Sequence, residues 1–273
     1  MLSICIFGSQ ARQTADAISD RDVLVVGPPS PDLDKIVADW VAREWNVSVF
    51  DRLAFSRMAA VKALFVQHLK QEGRLVRDEN GFLRSLLAQY SPKKDYSGER
   101  NDALRQIMAL PLGSDVYWRN LCLADIIYVL FRNAAILHLA CLGEYCFQYD
   151  ALVDRMANIF DFGQSEQRSL LALRNLKHGY RRRAESLTVE PCLQEARAII
   201  GQMMRRLSNA CASSIAVGVT TDDYFKLRLQ ELELVTQNHP LLLDGLSQGS
   251  ESFMLWQRIR SSAGYPKSKV SFH

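Results

Sequence analysis

Phe7-Gly8-Ser9-Gln10-Ala11-Arg12, followed downstream by Ser19-Asp20-Arg21-Asp22-Val23-Leu24-Val25-Val26, is the stretch on which the fold turns. An apolar run from residue 2 ends in a Gly-Ser turn, a short helical segment follows, and a second apolar run opens behind two alternate carboxylates. Side chains two apart on a strand share a face, so Asp20 and Asp22 are expected to project together. Paired carboxylates suit a hard divalent cation, and Mg²⁺ is commonly held by one or two of them together with substrate phosphates. Gly8 lets the backbone approach a phosphate, and Ser9 offers a hydroxyl and an N–H where a helix starts. Arg12, one turn on, is placed for a charge-assisted phosphate contact.

Outward from this motif, residues 2–8, 22–26 and 46–50 read as strands, with a helix between the last two ending near Glu44 and capped by Ser30 or Asp32. Met58, Val61, Leu64, Phe65 and Leu69 recur at helical spacing, which predicts one amphipathic helix from Phe55 to Glu72, ended by Gly73. Asp78-Glu79-Asn80-Gly81 reads as a turn and Phe82 to Tyr90 as a short helix. The polar stretch Ser91-Pro92-Lys93-Lys94-Asp95-Tyr96-Ser97-Gly98 is the linker candidate. Beyond it, residues 99–110, 115–142, 144–160, 164–184, 190–215 and 221–236 read as helices. The expected architecture is therefore α+β: a small mixed-sheet domain over 1–92, an all-helical bundle over 99–247, and a docking helix with a basic tail over 248–273.

Composition is that of an ordinary globular chain: 273 residues, 48% hydrophobic, 23% charged, net charge +3. The charge is too small to diagnose a nucleic-acid partner. No run of eighteen uncharged apolar residues occurs, so no membrane partner is expected, and Met1 to Phe7 lacks the basic n-region of a signal peptide. The six scattered cysteines form no CxxC pair and read as buried free thiols in a reducing, cytoplasmic setting.

The Gly8-Ser9 turn followed by the Asp20-x-Asp22 strand resembles the DNA polymerase beta superfamily of nucleotidyltransferases. The resemblance covers Phe7 to Val26, and the strand-helix-strand order to Phe50 agrees with it. It implies metal-dependent transfer of a nucleoside monophosphate from an NTP. Asp20 and Asp22 would be the catalytic Mg²⁺ (or Mn²⁺) ligands, and Gly8, Ser9 and Arg12 the nucleotide-binding residues. The acceptor would be a nucleic-acid end, a nucleotide, a protein side chain or a small molecule; association with a partner protein or a second copy stays open. Relatives of this kind serve in bacterial toxin-antitoxin or antiviral systems. Family members carry a third carboxylate on the next strand. Alignment by strand pattern puts Ser48 there, and Asp51, three residues on, faces the other way by alternation. That departure weakens nucleophile activation more than nucleotide binding, so a nucleotide-sensing or RNA- or protein-binding module is the alternative. The stretch Ala63 to Gly73 is similar to a segment of bacterial members, in which His68 and Lys70 either approach the nucleotide or simply pack and face solvent.

The helical half resembles HEPN-like or kanamycin-nucleotidyltransferase-like bundles. HEPN domains pair an Arg with a downstream His in a metal-independent ribonuclease site. Arg174 and His178, or Arg132 and His138, are the pairs to weigh here. The competing expectation is that His138 packs in the bundle and Arg132 pairs with Asp125 or Glu144. Arg174, Lys177, His178, Tyr180 and Arg181, with Arg182 and Arg183, form an acid-free run. It could grip phosphate while Tyr180 stacks on a base, or cap a helix end. Glu99, Asp102 and Asp125 read as helix-surface acids.

Overall fold

A computed structural model describes residues 2–185, 187–210, 223–244 and 251–263. They form two compact units, one ending at Lys94 and the other running Asp95–Ala263.

The first unit is built on β1 (Ser3–Phe7), β2 (Asp22–Val26), β3 (Asn46–Phe50) and β4 (Arg74–Asp78), in the order β3-β2-β1-β4. β1 runs antiparallel to β2 and β4, and β2 runs parallel to β3. The two central strands are apolar at almost every position because both of their faces are covered. Cys5, Phe7, Leu24 and Val26 pack beneath Phe55 of α3 (Arg52–Ala60), Val66 and Leu69 of α4 (Leu64–Glu72) and Leu83 of α5 (Phe82–Gln89). Ile4, Ile6, Val23 and Val25 meet Leu33 and its neighbours on α2 (Pro31–Ala42), whose first turn is capped by the Ser30 hydroxyl.

Two features depart from expectation. The single helix over Phe55–Glu72 is two helices, α3 and α4, separated at Val61–Ala63, where Lys62 takes a left-handed φ of 62° and Ala63 is extended. Val61, counted in the apolar stripe, is 70% exposed; the stripe belongs to two helix faces rather than one. The Tyr90 hydroxyl donates to the Ala63 carbonyl at 2.7 Å and pins the break. β4 was not expected: Arg74, Val76 and Arg77 face outward, and only Leu75 joins the core. Its pairing with β1 skips Val76, a bulge between the Ile4 and Cys5 positions.

The second unit is helical: α6 (Ser97–Ala109), α7 (Tyr117–Cys141), α8 (Tyr149–Phe160), α9 (Gln164–Arg182), α10 (Glu190–Ala210), α11 (Asp223–Gln237), α12 (Pro240–Asp244) and α13 (Glu251–Ala263). The longer ones match the expected helices, except that Gly143, at φ 79°, delays α8 to Tyr149; the short α12 was not expected. The expectations for 211–222 and for the basic end of the tail fall outside the described residues. In α13, Trp256 and Ile259 are fully buried, as the docking-helix pattern requires. The described cysteines, Cys5, Cys122, Cys141, Cys146 and Cys192, are all free thiols.

α7 is the core helix, packed by α6, α9 and α11. By length and composition it could cross a membrane, but 78% of its most apolar window is buried within the fold. Asp125 sits at its middle and is no surface acid: it is fully buried. Its carboxylate accepts from Arg181 Nε at 3.0 Å and from Arg228 Nη2 at 2.5 Å. Arg228 lies 3.1 Å from Glu231, which accepts from the Tyr180 hydroxyl at 2.7 Å. Burial pushes the Asp125 carboxyl up, but Arg181 and Arg228 outweigh it and hold the group below the ordinary carboxylate value. Breaking one partner of such a set leaves buried charge uncompensated. Asp125→Asn should therefore cost about 3–5 kcal/mol of unfolding free energy, read as a lower denaturant midpoint.

Candidate active site

The Gly-Ser turn ends β1. Gly8 has φ 70° and ψ −149°, a conformation essentially restricted to glycine. Its carbonyl accepts from the amides of Ala11 and Arg12, both at 3.1 Å, and this closes the four-residue helix α1 (Ser9–Arg12). The β1–β2 register sets Asp22 opposite Phe7, one residue before the turn. A Cβ added at Gly8 would stand 3.3 Å from Asp22 Oδ2, so the bare glycine backbone and this carboxylate lie side by side.

Asp22 Oδ1 accepts from Asn46 Nδ2 at 3.0 Å, because the parallel pairing places Asn46 directly beside Asp22. Asn46 was not anticipated. Ser48, aligned to the third-carboxylate place, is instead beside Leu24, two residues along β2 from Asp22. Asp51 serves another purpose: its Oδ1 accepts from the Ala54 amide at 2.7 Å and caps α3. Asp20 stands exposed just ahead of β2, beyond the pleat that orients Asp22. Ser9 Oγ donates to the Asp20 backbone carbonyl at 3.4 Å and ties the turn to this approach segment. The expected alternation of Asp20 and Asp22 on one strand face is therefore not met, because β2 begins only at Asp22; the carboxylate set against the turn is that of Asp22, with the Asn46 amide beside it. Among the described residues, no group of three or more His, Cys, Asp or Glu side chains could hold a metal ion.

Arg12 forms an ion pair with Glu72, and His68 Nε2 lies 2.9 Å from the same Glu72 oxygen. Burial pushes the Glu72 carboxyl up, yet hydrogen bonding and charge from His68, with the Arg12 guanidinium, lower it overall. His68 is buried, edge-on to Phe7 at 5.5 Å. Lys70 donates to the Tyr90 carbonyl at 2.7 Å. Glu72 was missed because its weight comes from Arg12, sixty residues away in sequence.

The helical candidates fare differently. Tyr180 is fully buried, which corrects its stacking on a base, and Arg181 is held by Asp125, which leaves it no part in a phosphate grip; the helix-end alternative stands for the run. Arg174 lies 3.8 Å from Asp150, Lys177 sits 4.9 Å over the Tyr128 ring, and Arg183 faces both Tyr180 and Trp256. His178 is half-buried on α9, one turn beyond Arg174. Arg132 and His138, six residues apart, lie about 240° around α7 from each other and share no face. Arg132 donates to the Phe147 carbonyl at 3.2 Å rather than to Asp125, and Glu144 pairs with Arg155 instead. His138 packs in the bundle as expected, its Nδ1 accepting from Arg100 Nη1 at 3.2 Å.

Comparison with protein-family models found no match to this chain, and comparison with curated proteins found none either.

Burial first, and the Arg100 charge second, push the His138 imidazole down to about 4 from 6.5. A depressed histidine is protonated more readily in the unfolded chain, so its share of stability is complete above about pH 6.5 and is lost as pH falls toward 4. Wild type should lose about 2 kcal/mol more than His138→Gln between about pH 7 and pH 5, read from urea unfolding at the two pH values.

Proposed function

We propose that the first unit is a metal-dependent nucleotidyltransferase site of the polymerase beta kind, working in the cytoplasm. It would move a nucleoside monophosphate from an NTP to a nucleic-acid, nucleotide or protein acceptor and release pyrophosphate. The observation that carries this proposal is the meeting of Gly8 and Asp22 across the β1–β2 pair, with the carboxylate 3.3 Å from where any larger residue would begin. A glycine-only turn against an acid is a place where a phosphate and its cation can both come close to backbone.

In this reading each residue has a definite task. The open backbone at Gly8 would meet phosphate oxygens, the Ser9 hydroxyl would turn from the Asp20 carbonyl to join it, and Arg12 adds positive charge from one turn away. α1 has only four residues, so its dipole contributes little and the turn, hydroxyl and guanidinium carry the anion. Asp20 and Asp22 would hold Mg²⁺ or Mn²⁺, which when bound neutralises charge on the triphosphate. Asn46 orients Asp22 through its 3.0 Å hydrogen bond. A place in a bacterial toxin-antitoxin or antiviral system is the setting suggested by the motif's resemblance.

The second reading, a nucleotide sensor without turnover, is favoured by Asn46. An amide beside Asp22 cannot supply the charge of a third metal-binding acid, nor take a proton from an attacking hydroxyl.

The two readings separate in one assay. The full chain is incubated with each labelled NTP, Mg²⁺ or Mn²⁺, and a mixed pool of RNA, DNA, nucleotide and protein acceptors. The transferase reading expects label transfer with pyrophosphate release, reduced roughly a hundredfold or more by Asp22→Asn, the order of a lost metal contribution of several kcal/mol. Nucleotide binding without transfer leaves the sensor. A chain that binds no NTP ends both.

A further inference from the structure

We propose that Glu72, braced by His68, is a positioning residue that sets the Arg12 guanidinium for the phosphates of a nucleoside triphosphate. This role rests on the nucleotide reading of the Gly8–Ser9 turn. Arg12 closes α1, and its amide bonds the Gly8 carbonyl, so the root of the side chain is fixed one turn from the glycine. The far end is fixed by α4. Arg12 Nη1 donates to Glu72 Oε2, and His68 Nε2 meets that same oxygen at 2.9 Å. An ionised carboxylate only accepts, so His68 is the donor in that bond.

The brace continues into the strand. His68 and Glu72 stand four apart on one face of α4, with side chains only 9% and 11% exposed. The His68 ring stands perpendicular to that of Phe7, the last residue of β1 before Gly8. Turn, strand end and guanidinium are thus tied into one rigid set. Arg12 keeps 21% of its side chain exposed, and its fork offers five N–H donors, more than the single Glu72 oxygen can take up.

Holding α1 on α4 does not by itself require ions. A partly buried ion pair is a weak source of stability, and an apolar pair of similar volume often holds as well or better. What the pair supplies is direction: a guanidinium with its rotamers already restricted, beside a turn built on bare backbone. A bidentate grip on phosphate needs that fork in a fixed orientation.

The test is isothermal titration of the full chain with the Mg²⁺ complexes of the four NTPs and with inorganic tripolyphosphate. Glu72→Gln should weaken triphosphate binding about tenfold, the low end of what an outer-shell orienting partner is worth to a binding group. His68→Gln should weaken it less, in the same direction. The decisive comparison is the double variant: because Glu72 acts through Arg12, Arg12→Ala/Glu72→Gln should bind no more weakly than Arg12→Ala alone. Unchanged or tighter binding by Glu72→Gln overturns the role, as does a Glu72→Gln loss that persists in the Arg12→Ala background. If Glu72→Gln lacks a cooperative thermal transition, His68→Gln decides in its place. Binding that Asp22→Asn abolishes and Glu72→Gln leaves untouched removes this role alone. A wild-type chain that binds none of the probes removes the nucleotide reading and this role together.

Discussion

The antiparallel pairing of β1 with β2 is the constraint from which the rest of the first unit follows. It sets Phe7 opposite Asp22 and so brings the end of one strand and the start of the next to the same edge of the sheet. From that register comes the contact of Gly8 with the Asp22 carboxylate, to which the parallel β2–β3 pairing adds Asn46. A slip of one residue would turn every side chain of a strand to the other face. Here it would carry Asp22 away from the turn and exchange Leu24 and Val26, which pack under α3–α5, with Val23 and Val25, which pack under α2, so core and candidate site are protected by the same pairing.

The second unit organises itself around polarity rather than against it. Its central helix is largely apolar and buried within the fold, and the one acid in its middle is satisfied by two arginines arriving from α9 and α11. Those contacts bring two helices to one point on α7's length. They also absorb the very residues, Tyr180 and Arg181, whose composition invited a nucleic-acid reading.

Much of the scaffold was legible in the chain because hydrophobic alternation and glycine punctuation are local signals. β1, β2, β3 and the long helices of the second unit stand where their patterns placed them. What escaped was non-local. β4 is an edge strand whose two arginines and exposed valine carry no strand signature of their own, and only pairing with β1 makes it one. Asn46 gained its place from interstrand register, which a run of five residues does not encode. Glu72 and Asp125 matter through partners sixty and more than one hundred positions away, Arg12 and Arg228. For Asp125 a hint did exist: a solitary acid inside Leu121-Cys122-Leu123-Ala124-Asp125-Ile126-Ile127 is costly unless paired.

The skipped valine in β4 has a consequence for how the sheet meets its surroundings. An open edge offers unpaired amides and carbonyls to any passing extended chain. The kink at Val76 throws that row out of step, and Arg74 and Arg77 flank it with like charge. A second sheet approaching this margin would find neither a straight ladder nor a neutral one, so growth by strand addition along β4 is discouraged.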